Sequence, residues 1–467
     1  MAAASNSNGE APGAGRFDVI VIGAGIMGSC AAYAASSRGA RVLLLEQFDL
    51  LHHRGSSHGE SRTIRATYPQ PHYPPMVRLS RRLWEEAQSE AGYRVLTPTP
   101  HLDLGPRDDP AFRDAVRNGG AAEVAAGDTS WPWAGVFRVP EGWAAATSEL
   151  GGVMKATKAV AMFQALAVKK GAVVRDRTEV VGIAKRGLPL IVESTIVPTP
   201  LSEPTEYIKL HEKLPIFKGH MEDSLVANHH LLPVLVRDGS IVVRTASGEE
   251  FHGAKCIVTV GAWTSKLVKS VTGMDLPVQP VHTLICYWKV RPGHESELTP
   301  ESGFPTFASY GDPYIYSTPS MEFPGLIKIA KHGGAPCDPD GRDWAAGGVG
   351  LAEPVARWID AVMPEHVDTA GGPVIRQACM YSVTPDEDFV VDYLGGEFGK
   401  DVVVGGGFSG HGFKMGPAVG RILAEMAMDG EARTAEEAGV DLRPLRIDRF
   451  VDNPKGNLKD PVDHKGE

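Results

Sequence analysis

The chain has 467 residues, 43% of them apolar and 22% charged, with a formal net charge of −10; these values exclude a wholly disordered or fibrous chain and suit two or three domain-sized units. The negative balance argues against a broad nucleic-acid surface and for a small ligand. Its five cysteines, Cys30, Cys256, Cys286, Cys337 and Cys379, show neither CxxC nor repeated His/Cys spacing, so no zinc site or disulfide framework is expected and a reducing compartment fits.

Residues 1–16 are small and polar, without the apolar core of a secretory signal, and read as a disordered tail. Phe17 to Ile22, FDVIVI, is a β-branched apolar run suited to a buried parallel strand, and it leads straight into GAGIMG. Gly23 permits the tight turn, Gly25 lets backbone amides approach a pyrophosphate, and Gly28 allows close packing of the helix that starts here, whose N-terminus faces the phosphates. A second strand, Arg41 to Leu45, ends at Glu46, whose carboxylate is placed to accept hydrogen bonds from an unphosphorylated ribose, hence FAD or NAD rather than NADP.

Pro98 to Trp143 is rich in proline, glycine and charge and suits a crossing into a second domain. Val153 to Leu166 reads as an amphipathic helix and Gly171 to Ala184 as a strand pair. Gly187 to Val236 is long for a connection inside a domain, rich in proline and without a clean period. It reads as a surface insertion or translated intron. Its histidines, His211, His220, His229 and His230, match no standard metal spacing, and no metal is expected. Lys255 to Val268 predicts a buried strand, a glycine turn and a helix start with Thr264 or Ser265 near the cap. Val281 to Val290 is strand-like. Phe323 to Gly334 alternates, which places Leu326, Lys328, Ala330 and His332 on one face. Val404 to Gly410 is a strand running into a glycine-rich turn, and no apolar run is long enough to span a bilayer.

Two C-terminal stretches, QACMYSVTPDEDFVVD (Gln377 to Asp392) and VVVGGGFSGHGFKMGP (Val402 to Pro417), follow the nucleotide fingerprint. With it they resemble the sarcosine and pipecolate oxidase family of flavoenzymes, and the resemblance runs over nearly the whole chain. It implies an α/β two-domain fold of the glutathione reductase and D-amino-acid oxidase kind. A Rossmann-like FAD-binding domain is expected over 17–96, 150–275 and 383–435, and a β-rich substrate domain over 97–149 and 276–382. Residues 187–236 would stand as an atypical insertion within the FAD domain and 436–467 as a C-terminal extension.

The resemblance also assigns residues. FAD would be held covalently through Cys379. The loop GSSHGESRTIRATY, Gly55 to Tyr68, would pass beside the flavin ring, with His58 and Arg62 near it, Arg62 stabilising its negative charge. Arg65 and Lys414 would clamp a substrate carboxylate. Tyr381 and Tyr316 would line the pocket, His332 would lie near the substrate, and Lys328 would activate oxygen by stabilising charge developing on it. Ser57, Val180, Gly410, Gly412 and Lys414 complete the cofactor contacts. The implied reaction is oxidation of the C–N bond of a small secondary or cyclic amino acid to an imine, with O2 reduced to hydrogen peroxide. The alternatives are an amino-acid dehydrogenase with another electron acceptor, or a flavin-binding chain inactivated by the insertion. The expected partners are a small amino acid and O2, with no nucleic acid and no membrane. A monomer is expected, in the cytoplasm or the peroxisome, although Lys465-Gly466-Glu467 is not an SKL-type signal.

Overall fold

β1 (Phe17–Ile22) lies inside an eight-stranded sheet, in parallel with β2 (Val42–Leu45) on one side and Glu250–Val258 on the other. Its alternating residues serve two cores. Val19 and Val21 pack toward α1 (Ile26–Ser37) and the helices Ala156–Lys169 and Gly416–Asp429, whereas Ile20 and Ile22 pack toward Leu267 and Val268 of the helix Thr264–Thr272. A strand covered on both faces has to be apolar throughout, as FDVIVI nearly is, and each fully buried aliphatic side chain contributes about 1.5–3 kcal/mol.

β3 (Ser61–Arg65) leaves this layer and pairs with Gly151–Lys155, which also pairs with β4 (Leu96–Pro98) in a three-stranded sheet. Between β3 and β4 runs α2 (Tyr73–Ala91), with Pro74 in its first turn and Gly92 closing it in the left-handed conformation. β5 (His101–Pro106) enters a ten-stranded sheet, antiparallel to Trp143–Ser148 and parallel to Thr306–Ser309. That sheet continues through Ile315–Thr318 and Leu326–Lys331 to Gln279–Val290, which also pairs with Ile375–Val383. Trp288, Phe304, Phe307 and Trp358 anchor its core.

The computed structural model describes residues 16–125, 127–190, 234–341 and 350–458. The tail 1–15, the four histidines and most of the 187–236 stretch lie outside the described residues.

Three expectations are corrected. The two strands within Gly171 to Ala184 do not pair with each other: Val173–Arg175 extends the sheet beyond β2, while Val180–Leu190 pairs with Val234–Thr245. Proximity in sequence does not choose a strand's partner when a turn separates two open sheet positions. The helix expected from Val153 starts at Ala156, because Gly151–Lys155 is already a strand between β3 and β4. Pro98 to Trp143 is more than a crossing, since it holds β5 and the helix Pro110–Gly119, capped by Asp109, whose carboxylate accepts from Phe112 N at 2.9 Å. At the C-terminus, Arg449 and Asn457 bind Asp386 and so tie the extension to the TPDED loop. Among the described residues no helix is long and apolar enough to cross a membrane.

Candidate active site

The turn after β1 is shaped by contact. Gly23 has φ +95°, and a Cβ on it would fall 2.5 Å from the Thr259 carbonyl oxygen; a Cβ on Gly28 would fall 1.8 Å from the carbonyl of Gly23. Any side chain at Gly28 would force α1 away from the strand. Gly25 is the N-cap of α1 and brings no side chain to cap it, and the first turn has no acidic residue, so no carboxylate occupies the positive end of the helix. Ser57 Oγ accepts from Ile26 N at 3.0 Å. Glu46 is buried at the end of β2, where its carboxylate accepts from Ala24 N at 2.9 Å and Phe48 N at 3.1 Å. Those bonds orient it and leave further lone pairs for a ribose hydroxyl.

A cavity of about 1060 Å³ extends from this turn into the space between the two large sheets. Gly23, Gly25, Glu46, Ser57 and Val180 line one end, and Arg62, Lys328, Cys379, Tyr381 and Lys414 are among the residues lining the other. Of the expected site residues only Gly28 stays outside the lining, consistent with its packing role. An open helix terminus, a buried carboxylate at the ribose position and one long cavity joining them to a cationic end fit FAD.

Arg62 is held tightly. Its Nη2 donates to the carbonyls of His58 at 2.6 Å and Ser56 at 3.1 Å, its Nη1 donates to Ser61 at 2.9 Å, and Nη2 stands 3.7 Å from Cys379 Sγ. Cys379 is buried on Ile375–Val383, packed with Ile285 and Tyr287 of the neighbouring strand. Lys328 is 1% exposed and donates to the Ser61 carbonyl at 2.8 Å, with its ammonium 5.5 Å from the Tyr316 ring centroid. Burial, then the charge of Arg62, pulls its pKa down to about 7. Burial pushes the Tyr316 phenol up to about 12 and the Tyr381 phenol well above its ordinary value. Gly410 has φ +78°, and a Cβ there would come 2.4 Å from the Tyr381 ring, so the GFSGHGF turn closes on that ring only with glycine. Gly412 lines the cavity beside it.

At the far end Arg65 Nη2 donates to the Tyr314 hydroxyl at 2.8 Å, and its guanidinium lies 4.5 Å from the Tyr68 ring centroid. Lys414 donates to the Tyr68 hydroxyl and the His411 carbonyl, each at 2.8 Å. Burial, then Arg65, drives the Lys414 pKa well below its ordinary value. His332 packs on Tyr381 at 5.1 Å between ring centroids, and burial followed by Arg65 and Lys414 lowers its pKa to about 4. Its strand ends at Lys331; Lys328 and His332 both line the cavity, and so does Lys331 from the opposite phase of the alternation. Tyr68, Tyr314 and His411 were not singled out from the sequence. Tyr68 and His411 stood inside the quoted motifs; Tyr314 carried no local signal.

The hydrogen bonds of Arg62, Arg65, Lys328 and Lys414 go to carbonyls, hydroxyls and one sulfur, and among the described residues none of the four ion-pairs with a carboxylate. Desolvating a cation with no carboxylate in contact costs several kcal/mol, a cost that a bound anion would offset, so such a group of four suits an anionic ligand. Away from the cavity, His294 and His366 share Glu297 Oε2 as acceptor at 3.0 and 3.2 Å, the one His/Glu group of metal-binding geometry among the described residues. It was not anticipated from the sequence.

A family model described as FAD dependent oxidoreductase matches residues 18–198 and 227–426. The chain is 50% identical over 454 residues to a probable sarcosine oxidase of Arabidopsis thaliana, covering 96% of each. It is 30% identical over 455 residues to the peroxisomal sarcosine oxidase of Homo sapiens, covering 95% of this chain and 98% of that protein. Among solved structures, L-proline dehydrogenase from P. horikoshii superposes with a TM-score of 0.68 at 19% identity, covering 94% of this chain and 98% of the other.

Proposed function

The chain belongs to the FAD-dependent oxidoreductase family, in its sarcosine oxidase branch, and from that premise we propose that it oxidises a small secondary or cyclic amino acid, such as sarcosine or pipecolate, with O2 as electron acceptor. The observation that carries this reading is the set of four basic side chains, Arg62, Arg65, Lys328 and Lys414, none of them ion-paired with a carboxylate among the described residues, in one cavity with the dinucleotide turn. FAD, when bound, supplies the two-electron acceptor.

Arg65 and Lys414 hold the substrate carboxylate, and the planar guanidinium offers it two parallel donors. His332 and His411 stay neutral at physiological pH, His411 because burial and then Lys414 keep its pKa well below the ordinary value. Neither therefore adds a positive charge that would repel the substrate's amine. Tyr381 and Tyr316 form the apolar wall that excludes water around the reacting C–H bond. Arg62 offers positive charge beside the ring, and Cys379, 3.7 Å from it, is the covalent anchor. His58 lines the ring end of the cavity, and Lys328, on the Leu326–Lys331 strand, offers its ammonium to oxygen.

The eight-stranded sheet supports the expected division into an FAD domain over 17–96, 150–275 and 383–435. The ten-stranded sheet supports a substrate domain over 97–149 and 276–382. One chain supplies every group of this site, which suits a monomer; a peroxisomal or cytoplasmic location goes with the same reading. The test is purification, an absorbance scan for flavin, and peroxide release with a panel of N-methyl and cyclic amino acids. Absence of flavin would sink the reading. Anaerobic bleaching by an amino acid without peroxide in air would replace O2 by another acceptor.

A further inference from the structure

Arg65, at the end of β3, is also held from behind the cavity wall. Its Nη1 donates to Thr67 Oγ1 at 3.3 Å, and the Thr67 hydroxyl donates to Asp103 Oδ1 at 3.1 Å. The same Asp103 oxygen is 3.2 Å from His101 Nε2, and His101 Nδ1 meets Thr306 Oγ1 at 2.9 Å. Thr67, His101, Asp103 and Thr306 have no exposed surface. Thr67 belongs to the segment after β3, whereas His101 and Asp103 are on β5 and Thr306 on the strand beside it, so the chain of bonds ties the three-stranded sheet to the ten-stranded one.

The direction of each bond follows from the inventory of protons. A hydroxyl has one proton, and a carboxylate can only accept; Thr67 therefore spends its proton on Asp103 and turns its lone pairs to the guanidinium. Burial lowers the His101 pKa, which keeps the imidazole neutral with a single N–H. Asp103 is fully buried, and its Oδ1 is the acceptor for the Thr67 hydroxyl. Its other oxygen has no partner among the described residues, and the nearest cation in the chain of bonds is Arg65, one hydroxyl away. A buried acceptor so placed makes the orientation of Thr67 costly to change.

We propose that Thr67 and Asp103 are positioning residues that hold Arg65 Nη1 in place, leaving its remaining donors aimed at a ligand carboxylate. This rests on the reading of Arg65 as a carboxylate-binding group. Neither residue lines the cavity, so neither touches the substrate. The arrangement locks before binding a side chain that would otherwise lose rotamer freedom on binding, and the gain falls on carboxylate ligands alone.

The test uses the flavin-loaded full chain and two isosteric probes, acetate and acetamide, titrated against the flavin absorbance. Thr67→Val keeps the shape and removes the hydroxyl. It is expected to weaken acetate about tenfold, as for loss of one charge-assisted hydrogen bond, and to leave acetamide unchanged. Thr67→Ser should restore acetate to within about twofold, since it returns the hydroxyl. With sarcosine, KM should rise with kcat nearly constant. Equal weakening of both probes would indicate a general disturbance and overturn the proposal. Unchanged acetate binding in Thr67→Val, while Arg65→Met weakens it, overturns the positioning role alone; unchanged acetate binding in Arg65→Met overturns the carboxylate reading itself. Should Thr67→Val fail to retain flavin, Asp103→Asn supplies the comparison. Its amide oxygen still accepts from Thr67 but is a weaker acceptor than a carboxylate oxygen, so Thr67 is held less firmly and acetate should bind at least about threefold more weakly. Tighter acetate binding in that variant would show a bare counter-charge and refute the relay.

Discussion

Lys328→Met separates the two halves of the proposed reaction. The substitution keeps an unbranched side chain of similar length in a site that is 1% exposed and removes one ammonium. Two effects on stability oppose each other: the Ser61 carbonyl loses its 2.8 Å donor, at about 1–3 kcal/mol, while a desolvated cation disappears. The net change should be small. The kinetic effect should not be. Below pH about 7, where folded Lys328 keeps its proton, a unit charge about 4 Å from charge developing on oxygen is worth about 4 kcal/mol at an effective dielectric constant of about 20, which corresponds to roughly a thousandfold in rate. Stopped-flow reoxidation of the pre-reduced enzyme by O2 should slow by about that factor, whereas anaerobic reduction by substrate should change by less than about tenfold. Equal losses in the two half-reactions, or undiminished reoxidation, would refute the assignment of Lys328 to oxygen.

With Cys379 as the anchor, yellow chromophore stays with acid-precipitated protein, and Cys379→Ala releases it to the supernatant; free flavin from the unmutated protein would show that no covalent bond forms. Arg449→Ala removes the partner of Asp386, in a pair whose side chains are 6% and 1% exposed, and urea denaturation should register a loss of about 3–5 kcal/mol. A change below about 1 kcal/mol would mean that the extension does not brace the TPDED loop. The apoprotein should lose stability as pH falls from 6.5 to about 4, because unfolded His332 takes up a proton that the folded chain excludes. By the same sign, Lys328 should make stability rise with pH between about 7 and 10.5. Thermal melts of His332→Gln and Lys328→Met should each flatten the slope in the corresponding window, and unchanged slopes would contradict the burial of these groups.

The dinucleotide end of the site was legible in the sequence because its causes are local. FDVIVI, GAGIMG and Glu46 lie within 30 consecutive residues, and backbone sterics, helix polarity and strand length are enough to turn them into a strand, a turn and an anion-binding helix end. The residues at the cationic end came from family resemblance, and nothing local says that Arg62 and Cys379, 317 positions apart, meet at 3.7 Å. Sheet partners were likewise undetermined: Val173–Arg175 and Val180–Leu190 are both legible as strands, but which open edge each one joins depends on hydrogen-bonding groups contributed from elsewhere in the chain. The properties that give the site its chemistry are also tertiary. Lys328 in a sequence is an ordinary lysine, and its lowered pKa arises from strands that desolvate it and from Arg62 placed beside it. Thr67 stood inside the quoted loop motif without a role and Asp103 outside any motif, since a buried hydroxyl acquires a direction only when a carboxylate from another sheet takes its proton.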